Sequence, residues 1–215
     1  MEIRQIKLSK MAIFCYLIID ESSRSAAIID PAFDTGKILS YLSDRRLTLT
    51  HIINTHGHAD HTAGNAAIQK ATQAKLYMHR EELSHLKGLM HKTFSLFLGG
   101  QGSPLPDAFM EEGDTIMAGQ IRLSVLHTPG HTRGSVSIHT EGHVFTGDTL
   151  FVGGVGRTDL PGGSHRELLS SIHNKIYTLP DHTIVWPGHD YGSAPHSTVG
   201  REKAENPYTR CSSFC

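Results

Sequence analysis

Between Asn54 and Asn65 the chain reads NTHGHADHTAGN, which puts three histidines and an aspartate within six positions, directly after an apolar run. A continuous helix would spread His56, His58, Asp60 and His61 around its axis, whereas a strand that ends in a turn can aim them at one point. Gly57 and Gly64 supply the backbone freedom that such a turn asks for. Neutral imidazole nitrogens beside a carboxylate suit zinc, and also iron or manganese. The pattern therefore predicts a metal centre at the end of a strand. Histidine is also abundant overall, with 16 in 215 residues.

Around this motif the chain reads as strands first and helices after, twice over. Residues 3–8 alternate apolar and polar as a half-buried strand does. Residues 14–19 and 26–29 are continuous apolar runs, expected of buried strands, with ESSRS as the turn between them. The pattern predicts an amphipathic helix over 34–46, then a strand over 49–54 that runs into the metal motif. A helix over 62–73, a strand over 75–78 and a helix over 80–87 follow. Residues 91–107 hold Gly, Ser and Pro with little periodicity and read as a long loop over the site. The second half offers strands at 121–126, 135–139 and 143–146, a helix over 164–179 and a last strand at 183–186. A short tail begins at about 205, after one helix that ends near Asn206-Pro207. Two such halves can pack sheet on sheet with helices outside, as a single domain spanning residues 1–215.

Three later positions complete the chemistry. LHTPGHTRGS places His131 after a strand and a Pro-Gly turn; FTGDTLF places Asp148 after an apolar strand; WPGHDYG places His189 in the same context as His131. Singly, such residues are turn formers. Together they offer ligand atoms at the ends of separate strands, which is how a fold assembles a site from distant segments. Asp30, which closes a strand before Pro31, is either a turn residue or a hydrogen-bonding neighbour of the metals.

From Ile29-Asp30-Pro31 to His189 these words resemble the metallo-β-lactamase superfamily, whose seven usual ligand positions are all present in order. The resemblance implies an α/β (α+β) fold, a four-layer αββα sandwich, with two divalent metal ions. Zinc is the first expectation, with iron or manganese as alternatives. His56, His58 and His131 would hold one ion, Asp60, His61 and His189 the other, and Asp148 would bridge them. GDTLF, GRTDLPGGS and the late PGH are similar to compact bacterial glyoxalase II-like proteins, which implies hydrolysis of S-hydroxyacylglutathione thioesters. Two adjacent metals lower the pKa of a shared water toward ~7, so hydroxide exists at neutral pH. They also polarise the carbonyl and stabilise its oxyanion. A leaving thiolate with a free-thiol pKa near ~8.5 needs little help from an acid. Asp60 is the candidate catalytic residue, ligating and orienting the nucleophile, since no Ser or Cys stands in a triad or elbow motif. Arg157 and Thr158, after GGVG, and Tyr191 are candidate substrate contacts. Arg157 can equally pair with Asp159. His196 is a further pocket candidate.

Two departures and two competing readings accompany this one. Only a short segment follows His189, in place of the helical extension of full-length glyoxalase II enzymes. Arg157 and Asp159 stand in the region of the family's glutathione-contacting lysine and tyrosine. Persulfide dioxygenases of the same superfamily use one iron, held by residues matching His56, His131 and Asp148, the two-histidine, one-carboxylate arrangement of non-haem oxygenases. HADH, GRTD, TLP and GHDY resemble that group too, although Val155 replaces the cysteine common there before GRTD. The third reading is a non-catalytic metal-binding protein, against which the intact ligand set argues. A formal net charge of -1 disfavours a nucleic-acid partner. The apolar stretch 11–19 is too short to span a membrane, and no cleavage site follows it. The expectation is a cytoplasmic enzyme acting on a small-molecule thioester or thiol-derived substrate. Three irregularly spaced cysteines do not make a disulfide framework. Cys15 reads as a buried hydrophobe, and Cys211 and Cys215 as part of the tail.

Overall fold

The computed structural model describes residues 1–97 and 99–210, so Cys211 and Cys215 lie outside the described residues. The chain opens with β1 (Glu2–Lys7), β2 (Phe14–Asp20) and β3 (Ser25–Ile29). Every residue of β2, FCYLIID, is buried. Cys15, Leu17 and Ile19 enter one apolar cluster, and Phe14, Tyr16 and Ile18 enter another. Strand side chains alternate between faces, so a strand covered on both sides reads as an unbroken apolar run. That is the physical reason for the pattern seen in the sequence.

There follow α1 (Thr35–Asp44), β4 (Thr48–Ile53), α2 (Ala59–Thr62), α3 (Asn65–Thr72) and β5 (Lys75–Met78), then α4 (Leu83–Lys87), α5 (Leu89–Phe97) and β6 (Ala108–Phe109). The six strands form one sheet in chain order, antiparallel from β1 to β3 and parallel from β3 to β6. The second half runs β7 (Thr115–Ala118), β8 (Ile121–His127), β9 (Val136–Thr140), β10 (His143–Gly147), the ribbon β11 (Leu150–Phe151) and β12 (Gly154–Val155), α6 (His165–Ser171), β13 (Ile184–Pro187), β14 (Ser197–Thr198) and α7 (Val199–Glu205). Its sheet has the order β14-β13-β10-β9-β8-β7.

Three apolar clusters separate four layers. One lies between the first sheet and α1 and α3, with Ile38, Leu42 and Ile68 facing Leu17 and Ile28. The second lies between the sheets, where Ile18, Ile29 and Ile53 meet Leu123, Val125, Ile138 and Phe145. The third packs Leu168, Ile172 and Val199 against Val144 and Val185 of the second sheet. Each such fully buried side chain contributes about 1.5–3 kcal/mol. The result is the expected αββα sandwich. Among the described residues, no helix is long and apolar enough to cross a membrane.

Strand direction sets where chemistry can gather. β10 runs parallel to β13, and β8 pairs antiparallel with β9, which pairs antiparallel with β10. β8, β10 and β13 therefore all point the same way, and His131, Asp148 and His189 follow their C-terminal ends. In the first sheet Asp30 follows β3 and His56 follows β4, again at C-terminal ends. The two edges are stitched together where Val136 N–H donates to the Thr55 carbonyl at 2.8 Å.

Several elements differ from the sequence reading. Residues 89–97 form a helix where a loop was expected. The Gly and Pro residues that suggest a loop lie beyond it, at 99–106, and no helix breaker falls inside. β7 is an additional strand, joined to β8 by a tight turn at Gly119, whose φ is 63°. The helix expected over 164–179 is α6 followed by a π-helical turn, Ile172–Ile176. The metal motif is not purely a turn either, because Asp60 and His61 sit on the single helical turn α2.

Candidate metal centre

The seven sequence-predicted residues converge. Ligand atoms of three overlapping groups, His56/His58/His131, His56/His61/Asp148 and Asp60/His61/His189, lie within 4.8 Å of one another inside each group. His58 Nδ1 is 3.0 Å from His131 Nε2, and His61 Nε2 is 3.2 Å from His189 Nε2. Asp148 stands between the groups, 3.4 Å from both His61 and His189 and 3.6 Å from His131. Asp60 reaches to 3.8 Å from His189.

Behind the cluster, hydrogen bonds fix each ring. His131 Nδ1 lies 2.7 Å from the Arg157 carbonyl, and His189 Nδ1 lies 2.9 Å from the Met11 carbonyl. A carbonyl can only accept, so Nδ1 donates in both rings and Nε2 is the atom that faces the cluster. Asp30 does the same for His61, from 3.0 Å. Its carboxylate also accepts from Thr55 N–H at 2.8 Å and from Thr55 Oγ1 at 2.6 Å, and Thr55 Oγ1 lies 3.1 Å from His56 Nδ1. One carboxylate thus orients His61 directly and His56 through a threonine. Asp30, Met11 and Ala12 all hold positive φ, between 51° and 54°. Such backbone strain in non-glycine residues concentrates at functional sites.

Glycines let the backbone close in. Gly147 and Gly188 pack so tightly around Thr55 and Asp148 that neither has room for a Cβ. Gly130 has a φ of 137° and lies against the backbone of Leu168. Gly57 and Gly64 do not take positive φ, contrary to the role read from the sequence. They are needed because Glu82 and Pro31 leave no space for a side chain.

The electrostatics suit a cation. Burial and neighbouring imidazoles hold His56 well below the ordinary histidine range, and burial with the nearby His131 brings His58 down to about 3. Both rings are therefore neutral, as metal ligation requires. Burial opposes protonation of His61, but Asp148 and Asp30 outweigh it and raise the ring to about 10. Burial likewise opposes the charge on Asp148, and His189 and His61 outweigh it and keep the carboxyl well below its usual range. Positive charge is stabilised among these carboxylates. His56 Nε2 and Asp148 Oδ1 are buried without any hydrogen-bond partner. Orphaned buried polar atoms are costly, and a divalent ion would satisfy both, so these residues fit a metal.

Of the remaining candidates, Tyr191 and the Arg157 carbonyl touch residues of the cluster. Tyr191 is exposed and stacks on His189 with ring centroids 4.5 Å apart. Thr158 is half-buried on the loop that carries the Arg157 carbonyl. The Arg157 guanidinium makes two 2.7 Å bonds to Asp159, so this residue reaches the centre through its main chain. His196 lies on Trp186, with ring centroids 4.9 Å apart. The α4–α5 segment brings His85 to 5.1 Å from the His58 ring and His91 to 2.9 Å from Thr62 Oγ1. Sequence reasoning missed Thr55, the Met11 carbonyl and Glu82. Thr55 stands inside the metal motif but is no ligand, and Met11 and Glu82 stand outside it; the role of each depends on what the fold sets beside it.

A model of the metallo-beta-lactamase superfamily matches residues 9–189. The chain belongs to that superfamily. It is 35% identical over 208 residues to the persulfide dioxygenase ETHE1, mitochondrial, of Bos taurus, which covers 95% of this chain and 74% of the relative. It is 34% identical over 198 residues to the hydroxyacylglutathione hydrolase GloC of Haemophilus influenzae, covering 90% and 91%. Among solved structures it resembles TTHA1623 in a di-iron-bound form, with a TM-score of 0.82, 32% identity, and 95% and 99% of the two chains covered. The fold, the family and a cluster able to bind divalent metal define an enzyme of this superfamily.

Proposed function

We propose that the chain is a metal-dependent hydrolase of thioesters of the S-hydroxyacylglutathione type, with two divalent ions. His56, His58 and His131 hold one, Asp60, His61 and His189 hold the other, and Asp148 serves both. The observation that carries this reading is the position of Asp148, within 3.6 Å of His131 on one side and 3.4 Å of His61 and His189 on the other. Zinc is the first choice, and iron or manganese accept the same donors. When bound, such a pair of ions supplies an ionised water near neutrality and a Lewis acid for the carbonyl.

The chain's own residues do the rest. Asp30 and the Arg157 and Met11 carbonyls lock the imidazoles in one orientation. Asp60, on the first turn of α2, accepts a hydrogen bond from the attacking water with its carboxylate and orients it. Water gives up one proton to solvent and adds to the thioester carbonyl as hydroxide; the C–S bond breaks, the sulfur leaves as a thiolate, and the carboxylic acid formed loses its proton to solvent as a carboxylate. Tyr191 offers its ring face to the substrate beside His189, and Thr158 and Arg157 line the entrance.

A second reading has one specific observation in its favour. The two unpartnered ligand atoms, His56 Nε2 and Asp148 Oδ1, both belong to the set that a single-iron persulfide dioxygenase would use with His131. The similarity to ETHE1 adds to it. Parallel assays of iron-loaded protein separate the two. Cleavage of S-lactoylglutathione without oxygen uptake from glutathione persulfide supports the hydrolase. Rapid, enzyme-dependent oxygen uptake overturns it in favour of the dioxygenase.

A further inference from the structure

Glu82 follows β5, in the short turn Arg80–Glu82, and is wholly buried. Its carboxylate joins two loops. Oε2 accepts from Gly57 N–H at 2.6 Å, and Oε1 accepts from Gly134 N–H at 2.8 Å. Gly57 stands between His56 and His58, and Gly134 stands three residues after His131. Both glycines are there for the carboxylate, since a Cβ would come within 2.9 Å of Oε2 at Gly57 and 2.7 Å of Oε1 at Gly134. The turn that carries Glu82 is itself held, by His79 accepting from Glu81 N–H at 3.3 Å and by Arg80 over the Phe109 ring at 4.3 Å.

We infer that Glu82 is a positioning residue for the metal group His56/His58/His131, setting the distance between the two loops that supply it. This rests on reading those three histidines as one metal group, and not on the reaction the enzyme performs. Two charge-assisted bonds from one rigid acceptor fix both loops at once. A glutamine could accept from only one of the amides, because its NH2 group would meet the other N–H donor to donor. Asp60, His61 and His189 are held by other means: α2, Asp30 and the Met11 carbonyl. Loss of the carboxylate should therefore be felt at one metal group and not the other.

The test is cobalt(II) binding to metal-free wild type and Glu82→Gln, measured by competition with a chelator. The expected result is a loss of about 10- to 100-fold in affinity for one equivalent, the range seen when outer-shell partners are removed, while the other binds as in wild type. Parallel weakening of both equivalents would show that Glu82 only supports the fold, and no weakening at all would show that it does not position the loops. If wild type binds a single equivalent, the two-metal reading fails, and the variant is scored on that equivalent alone. Amide hydrogen exchange on the metal-free wild type keeps the inference testable if the variant does not fold. Gly57 and Gly134 N–H should be strongly protected, and rapid exchange at either would overturn it.

Discussion

The first half of the chain delivers four of the seven clustered side chains from one segment, residues 56–61, whereas the second half delivers His131, Asp148 and His189 singly, from the ends of three strands. In the first half, local backbone does the aiming. β4 ends, His58 caps α2, and one helical turn places Asp60 and His61. In the second half the aiming is done by sheet register, since His131, Asp148 and His189 come together only if β8, β10 and β13 run parallel and in step. The orienting partners differ in the same way. Asp30 is a side chain that serves two rings of the contiguous segment, while His131 and His189 rely on backbone carbonyls. A point substitution at Asp30 can therefore disarm the ring orientation of the first half, whereas the ring hydrogen bonds of His131 and His189 go to backbone carbonyls, which a side-chain substitution does not remove.

That contrast can be broken or sharpened by experiment. The largest effect is expected from Asp148→Ala, which removes the one side chain shared by both groups. Activity should be abolished and metal content should fall at both positions; full metal content with full activity would break the bridging role. Next is Asp30→Asn, which should weaken metal binding about 10- to 100-fold, with both groups affected because His61 and His56 depend on it. An effect confined to one group would show that the relay through Thr55 carries nothing.

The pH dependence of the metal-free protein is a smaller effect with a definite sign. His61 is raised to about 10, so its stabilisation is complete below the free value of 6.5 and is lost as pH climbs through 10. His58 is lowered to about 3, so its neutral form stabilises the fold above 6.5, and that stability drains away as pH falls toward 3. Thermal stability of metal-free protein should peak close to pH 6.5 and fall on both sides; a flat profile would contradict the charge arrangement described. The smallest effect belongs to Tyr191→Ala. The side chain is exposed, so stability should move by less than about 0.5 kcal/mol, while KM for a thioester substrate rises. An unchanged KM would remove Tyr191 from the pocket.

The same contrast explains what the sequence made legible. A contiguous metal motif announces itself, and β2 showed its two buried faces as an unbroken apolar run. The dispersed ligands could be read because Pro-Gly-His occurs twice after an apolar strand and because the whole set resembled a known family. What stayed hidden is what only tertiary contact defines. Gly57 and Gly64 read as flexible, yet they are small because Glu82 and Pro31 press against them. Glu82 itself, in HREEL, looks like any charged residue at the start of a helix. Arg157 reads as a substrate contact from its charge, and the structure uses its carbonyl at the centre while its guanidinium pairs with Asp159. Helix α5 was obscured by the Gly and Pro residues that follow it.

In a thioester hydrolase whose two metal positions share Asp148, full activity requires both positions to be filled. The most direct measurement is the rate of S-lactoylglutathione hydrolysis as zinc is added stepwise to metal-free protein. The rate should climb until two equivalents are bound and then level off. Absence of hydrolysis at two equivalents would contradict the claim.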